Sequence, residues 1–114
     1  MLTITQETQG SATVLNISGR LEFSGRKIFT DALTKAQNGS LSHLILNLQH
    51  VPYIDSAALG LLALTHQNLK LINARVSIAN PQEYVKKVLD LANFPKIVSL
   101  FPTVQDAVQT PVHA

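Results

Sequence analysis

Apolar and polar residues alternate in Leu2-Thr3-Ile4-Thr5, which is the period of a half-buried strand. Gln9-Gly10-Ser11 can turn the chain, and Thr13-Val14-Leu15-Asn16-Ile17-Ser18 then reads as a second strand, antiparallel to the first and ended by Gly19. Past that point the period changes. Ile28, Phe29, Leu33 and Ala36 recur at helical spacing, so a helix is predicted over about 24–37, capped by Ser24 and stopped by Asn38-Gly39. His43-Leu44-Ile45-Leu46-Asn47-Leu48 is almost continuously apolar, as suits a central strand covered on both faces. A second helix is predicted over 56–70 and a strand over 75–79. Asn80 as cap, Pro81 at the first helical position and Glu83 as the capping-box acid predict a third helix to about Leu91. A short strand over 97–100 and a terminal helix capped by Thr103, with Asp106 three residues on, complete the pattern.

The order is β-β-α-β-α-β-α-β-α. Strands that alternate with helices pair in parallel through right-handed crossovers, while the first hairpin adds an antiparallel strand at one side. The expectation is one α/β domain with a mixed sheet over residues 1–110 and a tail over 111–114, where Pro111 stops the last helix.

With 114 residues, 46% of them apolar and 14% charged, the chain suits a single compact domain with a well-filled core. Cysteine is absent, which excludes disulfides, thiolate catalysis and cysteine-ligated zinc. The longest apolar run, residues 57–64, is far short of the roughly 20 residues that span a bilayer. The first residues lack the basic and apolar regions of a signal peptide, so no membrane insertion and a cytoplasmic location are expected. The net charge is +2 and aromatics make up 5%. No basic stripe with stacking aromatics is visible, so no nucleic-acid partner is expected.

The most informative stretch is Val51-Pro52-Tyr53-Ile54-Asp55-Ser56-Ala57-Ala58-Leu59-Gly60-Leu61-Leu62, which follows the most buried strand. Ends of parallel strands are where α/β sheets place function. Asp55 is suited to cap the helix, and Ser56 then falls at its first position, near the positive end of the dipole. By three-and-four spacing, Ser56, Gly60, Ala63, Gln67 and Lys70 share one stripe. Leu59, Leu62 and Leu69, flanked by Leu61 and Leu64, should face the sheet. An exposed stripe normally carries long polar side chains, and a glycine inside a helix costs about 1 kcal/mol relative to alanine. Small residues let another backbone approach, which suggests a docking surface at the start of this helix. A phosphate on Ser56 would add about −1.5 to −2 charge. The helix dipole favours that charge, whereas Asp55 and an apolar partner do not. The bland alternative is that Asp55-Ser56 is a helix cap and nothing more.

Tyr53-Ile54-Asp55-Ser56-Ala57-Ala58-Leu59-Gly60 resembles the signature of STAS domains, the family of bacterial anti-sigma factor antagonists. Ser18-Gly19-Arg20-Leu21-Glu22 looks like that family's turn after its second strand, and Leu44-Ile45-Leu46-Asn47-Leu48 like its central strand. The resemblance implies a protein that binds an anti-sigma factor, often a serine kinase of the histidine-kinase-like ATPase type. That kinase phosphorylates the serine matching Ser56 and so ends the binding. A PP2C-type phosphatase restores it. On this reading the chain is no enzyme, needs no cofactor, and acts as a phosphoprotein in transcription regulation. Ser56 is the phosphoacceptor, Asp55 the cap and recognition acid, and Ala57, Ala58 and Gly60 the docking surface, with Glu22 and Ser24 at its edge. The sequence departs from the family pattern in three places. Ala57 and Ala58 stand where a second Ser and a Gly are frequent. Glu22 replaces an Asp and is followed by Phe23. The surface is also more basic. An alternative within the same family is an unphosphorylated subunit of a phospholipid-transport ABC system, or a signalling scaffold.

Ser56 has no Gly-x-Ser-x-Gly elbow and no evident base, so the residues give no case for a nucleophile. His43, His50, His66 and His113 form no metal-binding spacing, so no metal is expected. Tyr53 and Ile54 are expected to pack the strand-helix junction, with a role as partner-facing anchors as the alternative.

Overall fold

The computed structural model describes residues 2–37 and 41–110. Five strands form one mixed sheet in sequence order: β1 (Thr3–Gln9), β2 (Ala12–Ser18), β3 (His43–His50), β4 (Arg75–Ala79) and β5 (Ser99–Phe101). β1 runs antiparallel to β2, and the remaining neighbours are parallel. Helices α1 (Arg26–Ala36), α2 (Ser56–Leu71), α3 (Glu83–Leu91) and α4 (Val104–Gln109) connect and follow the strands. This is the predicted order and the predicted mixed sheet.

Alternation along the strands sorts the core into two layers. Leu15, Ile17, Leu44, Leu46, Leu48, Val76 and Ile78 point to one face, where Phe29 of α1, Leu62 and Leu69 of α2, and Val85 and Leu89 of α3 cover them. Three successive right-handed crossovers place all three helices on that side. The opposite face carries Ala12, Val14, Ile45 and Ala79, covered by Ala107 of the short α4. Beyond the reach of α4 this face is held by amides. Asn47 donates to Asn16 Oδ1 at 2.8 Å, Asn80 donates to Asn47 Oδ1 at 3.1 Å, and Asn16 donates to Glu7 Oε1 at 3.1 Å. The polar break in an otherwise apolar central strand therefore links three strands and the residue that follows β4.

Several local expectations are corrected. Ser24 caps nothing: a 3-10 turn over Phe23–Gly25 precedes α1, whose N-cap is Gly25. Leu2 lies so close that a Cβ at position 25 would stand 2.9 Å from its Cδ2. The Asn80 cap also fails. Asn80 is left-handed, at φ 55, with its side chain committed to Asn47, and α3 starts at Glu83, two residues later than expected, after Gln82, whose amide donates to the Gln49 carbonyl at 2.9 Å. β5 begins at Ser99 because a second 3-10 turn, Phe94–Lys96, tucks Phe94 into the core and leaves Ile97 outside. The Thr103 cap forms as expected, accepting from Asp106 N at 3.0 Å. The Asn38-Gly39 stop and the tail over 111–114 lie outside the described residues.

Candidate functional site

The site is built where two strand ends meet. Gly19, at φ 107, turns the chain out of β2 in a conformation that side chains rarely adopt, and its N–H donates to the His50 carbonyl at 3.0 Å. Leu21 then lies beside Ile54 as a parallel bridge, its N–H donating to Tyr53 O at 3.0 Å. Both of these apolar side chains are buried. The segment after β2 is thus stitched to the segment before α2, although 32 positions separate Phe23 from Asp55.

Asp55 completes the joint. Its Oδ1 accepts from Ala58 N at 2.8 Å, an N-cap for α2, and its Oδ2 accepts from Phe23 N at 3.1 Å. One carboxylate therefore fixes both the helix start and the neighbouring loop. Ser56 follows as the first residue of α2 and is exposed. Its hydroxyl stands at the positive end of a helix of 16 residues, where an added negative charge is favoured by the dipole and by free N–H groups.

The outward stripe of α2 includes Ser56, Gly60, Gln67 and Lys70 as expected, but it is broader than expected. Ala58 is 0% exposed and packs with Leu62, Thr65 and Leu69 against the sheet. Its methyl group is thus removed from the docking surface to which the sequence reading assigned it: position 58 lies three residues from Leu61 and four from Leu62, on the inward side. The outward side runs through Ser56, Gly60, Leu64, Gln67 and Leu71, with Ala57 and Ala63 half-buried along its margins. Leu64 is 52% and Leu71 83% exposed. Leu64 was expected to flank the sheet, but one more turn of 3.6-residue geometry carries it out with Gly60. A Cβ placed on Gly60 would meet nothing within 4 Å. No internal contact requires glycine there.

Near the start of α2 lies a set of residues of which the sequence reading named Glu22, Phe23, Ser24 and Tyr53 but not the contacts that join them. The Arg20 guanidinium sits 3.9 Å over the Tyr53 ring, and Tyr53 stacks on Tyr84 with centroids 6.2 Å apart. Glu22 pairs with Arg20 at 3.3 Å. Phe23, 57% exposed, carries the Arg26 guanidinium 4.2 Å from its centroid. Tyr53 thus lies under an arginine at the surface, whereas Ile54 packs inward as expected. Ser24 is exposed beside this row. The signals were present in the sequence only as single aromatics and arginines on separate segments. Their meeting depends on the long-range bridge between Leu21 and Ile54.

No group of metal-binding side chains gathers among the described residues, and no helix of the described chain is long and apolar enough to cross a membrane.

This end of the sheet-and-helix scaffold is open to solvent, and comparison with known proteins gives the class. The STAS domain family matches residues 3–107. The chain belongs to the STAS domain family. It is 28% identical over 99 residues to a STAS-domain-containing protein of Pseudomonas aeruginosa, covering 87% of this chain and 97% of that one. Its fold is that of an anti-sigma factor antagonist from Mycobacterium paratuberculosis, at a TM-score of 0.86 and 21% identity over 95% of this chain and 92% of that one. It also overlays the phosphorylated form of the Bacillus cell-fate determinant SpoIIAA, at a TM-score of 0.70 and 18% identity over 93% and 96% of the two chains. A murine anion transporter of solute carrier family 26 contains the same fold, at a TM-score of 0.77 and 18% identity over 90% of this chain and 18% of the transporter.

Proposed function

We propose that this protein is an anti-sigma factor antagonist whose binding is ended by phosphorylation of Ser56. The observation that supports this reading most is the exposed Ser56 hydroxyl at the start of α2, beside a carboxylate whose oxygens are already engaged and above a helix stripe kept open at Gly60. The partner is an anti-sigma factor that also acts as the serine kinase, a PP2C-type phosphatase reverses the modification, and the exchange takes place in the cytoplasm. Ala57, Gly60 and Leu64 form the contact surface, with Glu22, Phe23 and Ser24 at its edge.

The charge argument gives the direction of the switch. A phosphate at Ser56 is stabilised by the helix dipole, so the fold tolerates it. A partner that covers Gly60 and Leu64 must strip water from that phosphate, at a large desolvation cost, so binding is lost. Asp55 adds repulsion but cannot turn away, because Ala58 N and Phe23 N hold it. The chain acts here as substrate and ligand, and the arrangement asks no catalytic group of it.

The test uses the purified chain, ATP and an anti-sigma serine kinase of the histidine-kinase-like ATPase type. One phosphate should appear on Ser56 and none on Ser56→Ala. Ser56→Asp should weaken binding to that kinase at least tenfold and leave the melting temperature within a few degrees. A phosphate found only at another residue overturns the assignment. Unfolding of Ser56→Asp overturns the switch in favour of a purely structural cap. Unchanged binding by Ser56→Asp would instead favour a docking subunit that needs no phosphorylation.

A further inference from the structure

The two edges of the sheet are built differently. β5 is three residues long and is followed by Pro102, so it offers little to a further strand. β1 is seven residues long, TITQETQ, with no proline, no lysine and a single charge at Glu7. No strand pairs with its outer side among the described residues. Long, regular edges of this kind are normally blunted by such residues or covered.

The register says which groups are free. Gln9 and Ala12 close a hairpin with the two-residue loop Gly10-Ser11, and Gly10 has φ 61. Such a tight loop is closed by a hydrogen-bonded pair, and hydrogen-bonded pairs then alternate along an antiparallel ladder. Thr3, Thr5, Glu7 and Gln9 therefore spend their backbone groups on β2. Ile4, Gln6 and Thr8 turn theirs outward. Three outward residues with Gln6 at the centre close on themselves. A two-fold axis at Gln6 pairs Gln6 with Gln6, Ile4 with Thr8 and Thr8 with Ile4, leaving none of the three unpaired. In the same register Glu7 lies opposite Thr5, so no like charges meet. Beside the strand, Ile4, Leu15, Ile28 and Ala32 line an open groove of about 480 Å³, with Asp31 and Lys35 supplying one charge of each sign. The pairing would turn the two grooves toward each other on one side of the joined sheet. That adds apolar burial, which a strand edge alone lacks if it is to approach the roughly 1,000 Å² of a specific interface.

We propose that a second copy of this chain docks along β1, antiparallel and centred on Gln6, so that two domains share one continuous ten-stranded sheet. The occupant is the chain itself because the outward register is self-complementary and the charge pattern does not oppose it. The two-fold contact uses the same patch on both copies, so it closes at a dimer. β1 lies at the sheet edge and Ser56 at the start of α2, so this inference stands independently of the phosphorylation reading.

Sedimentation equilibrium of the full chain across a concentration series tests it. The expected result is reversible dimerisation in the micromolar to sub-millimolar range. Gln6→Lys, which sets two lysines across the axis, should weaken association at least tenfold. Gln6→Pro should do the same without unfolding, because the N–H it removes faces outward, where an edge strand tolerates proline. Amide hydrogen exchange supplies a readout that does not depend on either variant folding. The amides of Ile4, Gln6 and Thr8 should exchange quickly in dilute protein and become protected as concentration rises, whereas those of Thr5 and Glu7 should be protected throughout. A chain that stays monomeric to millimolar concentration overturns the proposal. So does a dimer in which the Ile4, Gln6 and Thr8 amides still exchange freely.

Discussion

The two ends of the parallel strands handle their polar groups in opposite ways. At the start of α2 the polar groups are half-open to water and joined by the Asp55 side chain. At the other end, where β3 and β4 begin, a buried His43–Ser77 pair stays neutral beside the Arg75 guanidinium. His43 is 3% exposed, its Nε2 lies 2.8 Å from Ser77 Oγ, and its Nδ1 lies 3.4 Å from the Arg75 guanidinium. An arginine can only donate, so Nδ1 accepts and Nε2 carries the proton that goes to Ser77. The same guanidinium donates to the Thr110 carbonyl at 2.7 Å and so ties the end of α4 to the sheet. One end is arranged to accept a charge and the other to refuse it. On the proposed reading, a domain modified at one end without unfolding gains from having its sheet and last helix secured at the far end.

The sharpest way to break this contrast is acid. Burial first, and the Arg75 charge second, lower the His43 pKa from 6.5 to about 4. Between those two values the unfolded chain binds a proton that the folded chain does not. The stabilisation is therefore complete above about pH 6.5, is lost progressively as the pH falls toward 4, and levels off below that. The loss attributable to His43 approaches about 3 kcal/mol. Urea unfolding at pH 7, 5.5 and 4.5 measures it. His43→Gln starts less stable at pH 7 but should show a flatter dependence over this range. An equal slope in both proteins would mean that other groups, not His43, carry the acid sensitivity.

Asp55→Ala tests the opposite end and has the next largest effect. It removes an N-cap bond to Ala58 and the bond to Phe23 N, for an expected loss of about 2 kcal/mol. Asp55→Asn should recover part of it, because the amide oxygen still accepts. A loss near zero in Asp55→Ala would show that the backbone bridge between Leu21 and Ile54 holds the joint without the carboxylate.

What the sequence revealed of these two regions follows from the range of the interactions involved. Every strand and helix was legible because each rests on a period that needs only a few neighbours: Thr13 to Ser18 for β2, or Thr103 with Asp106 for α4. The Asp55 cap was legible for the same reason. The Phe23 bond to Asp55, the arginine over Tyr53 and the His43–Ser77 pair were not, because each joins segments that only the folded sheet brings together. The Asn80 cap misled because its residues fit a local rule, while a distant amide, Asn47, had the stronger claim on the side chain. Ala58 misled through the family motif. It was grouped with Ala57 and Gly60 as docking surface, yet the helix turns it wholly inward.

Gly60 gives the smallest expected effect. Inside α2 it lowers helix stability by about 1 kcal/mol relative to alanine. The opposing term would have to be an internal close approach, and a methyl group there meets nothing within 4 Å. Gly25 shows the contrary case, with Leu2 against it. Gly60→Ala should therefore raise unfolding free energy by about 0.5–1 kcal/mol and leave the fold unchanged. If the outward stripe admits a partner's backbone, the same substitution should weaken that binding while phosphorylation of Ser56 proceeds, since the acceptor hydroxyl is untouched. Stability and binding then move in opposite directions from one methyl group. A gain in stability with unchanged binding would place the partner's closest approach elsewhere, toward Phe23 and Ser24. A loss of stability would mean that this helix face is not open, and the contrast between the two ends of the sheet would fail at its exposed end.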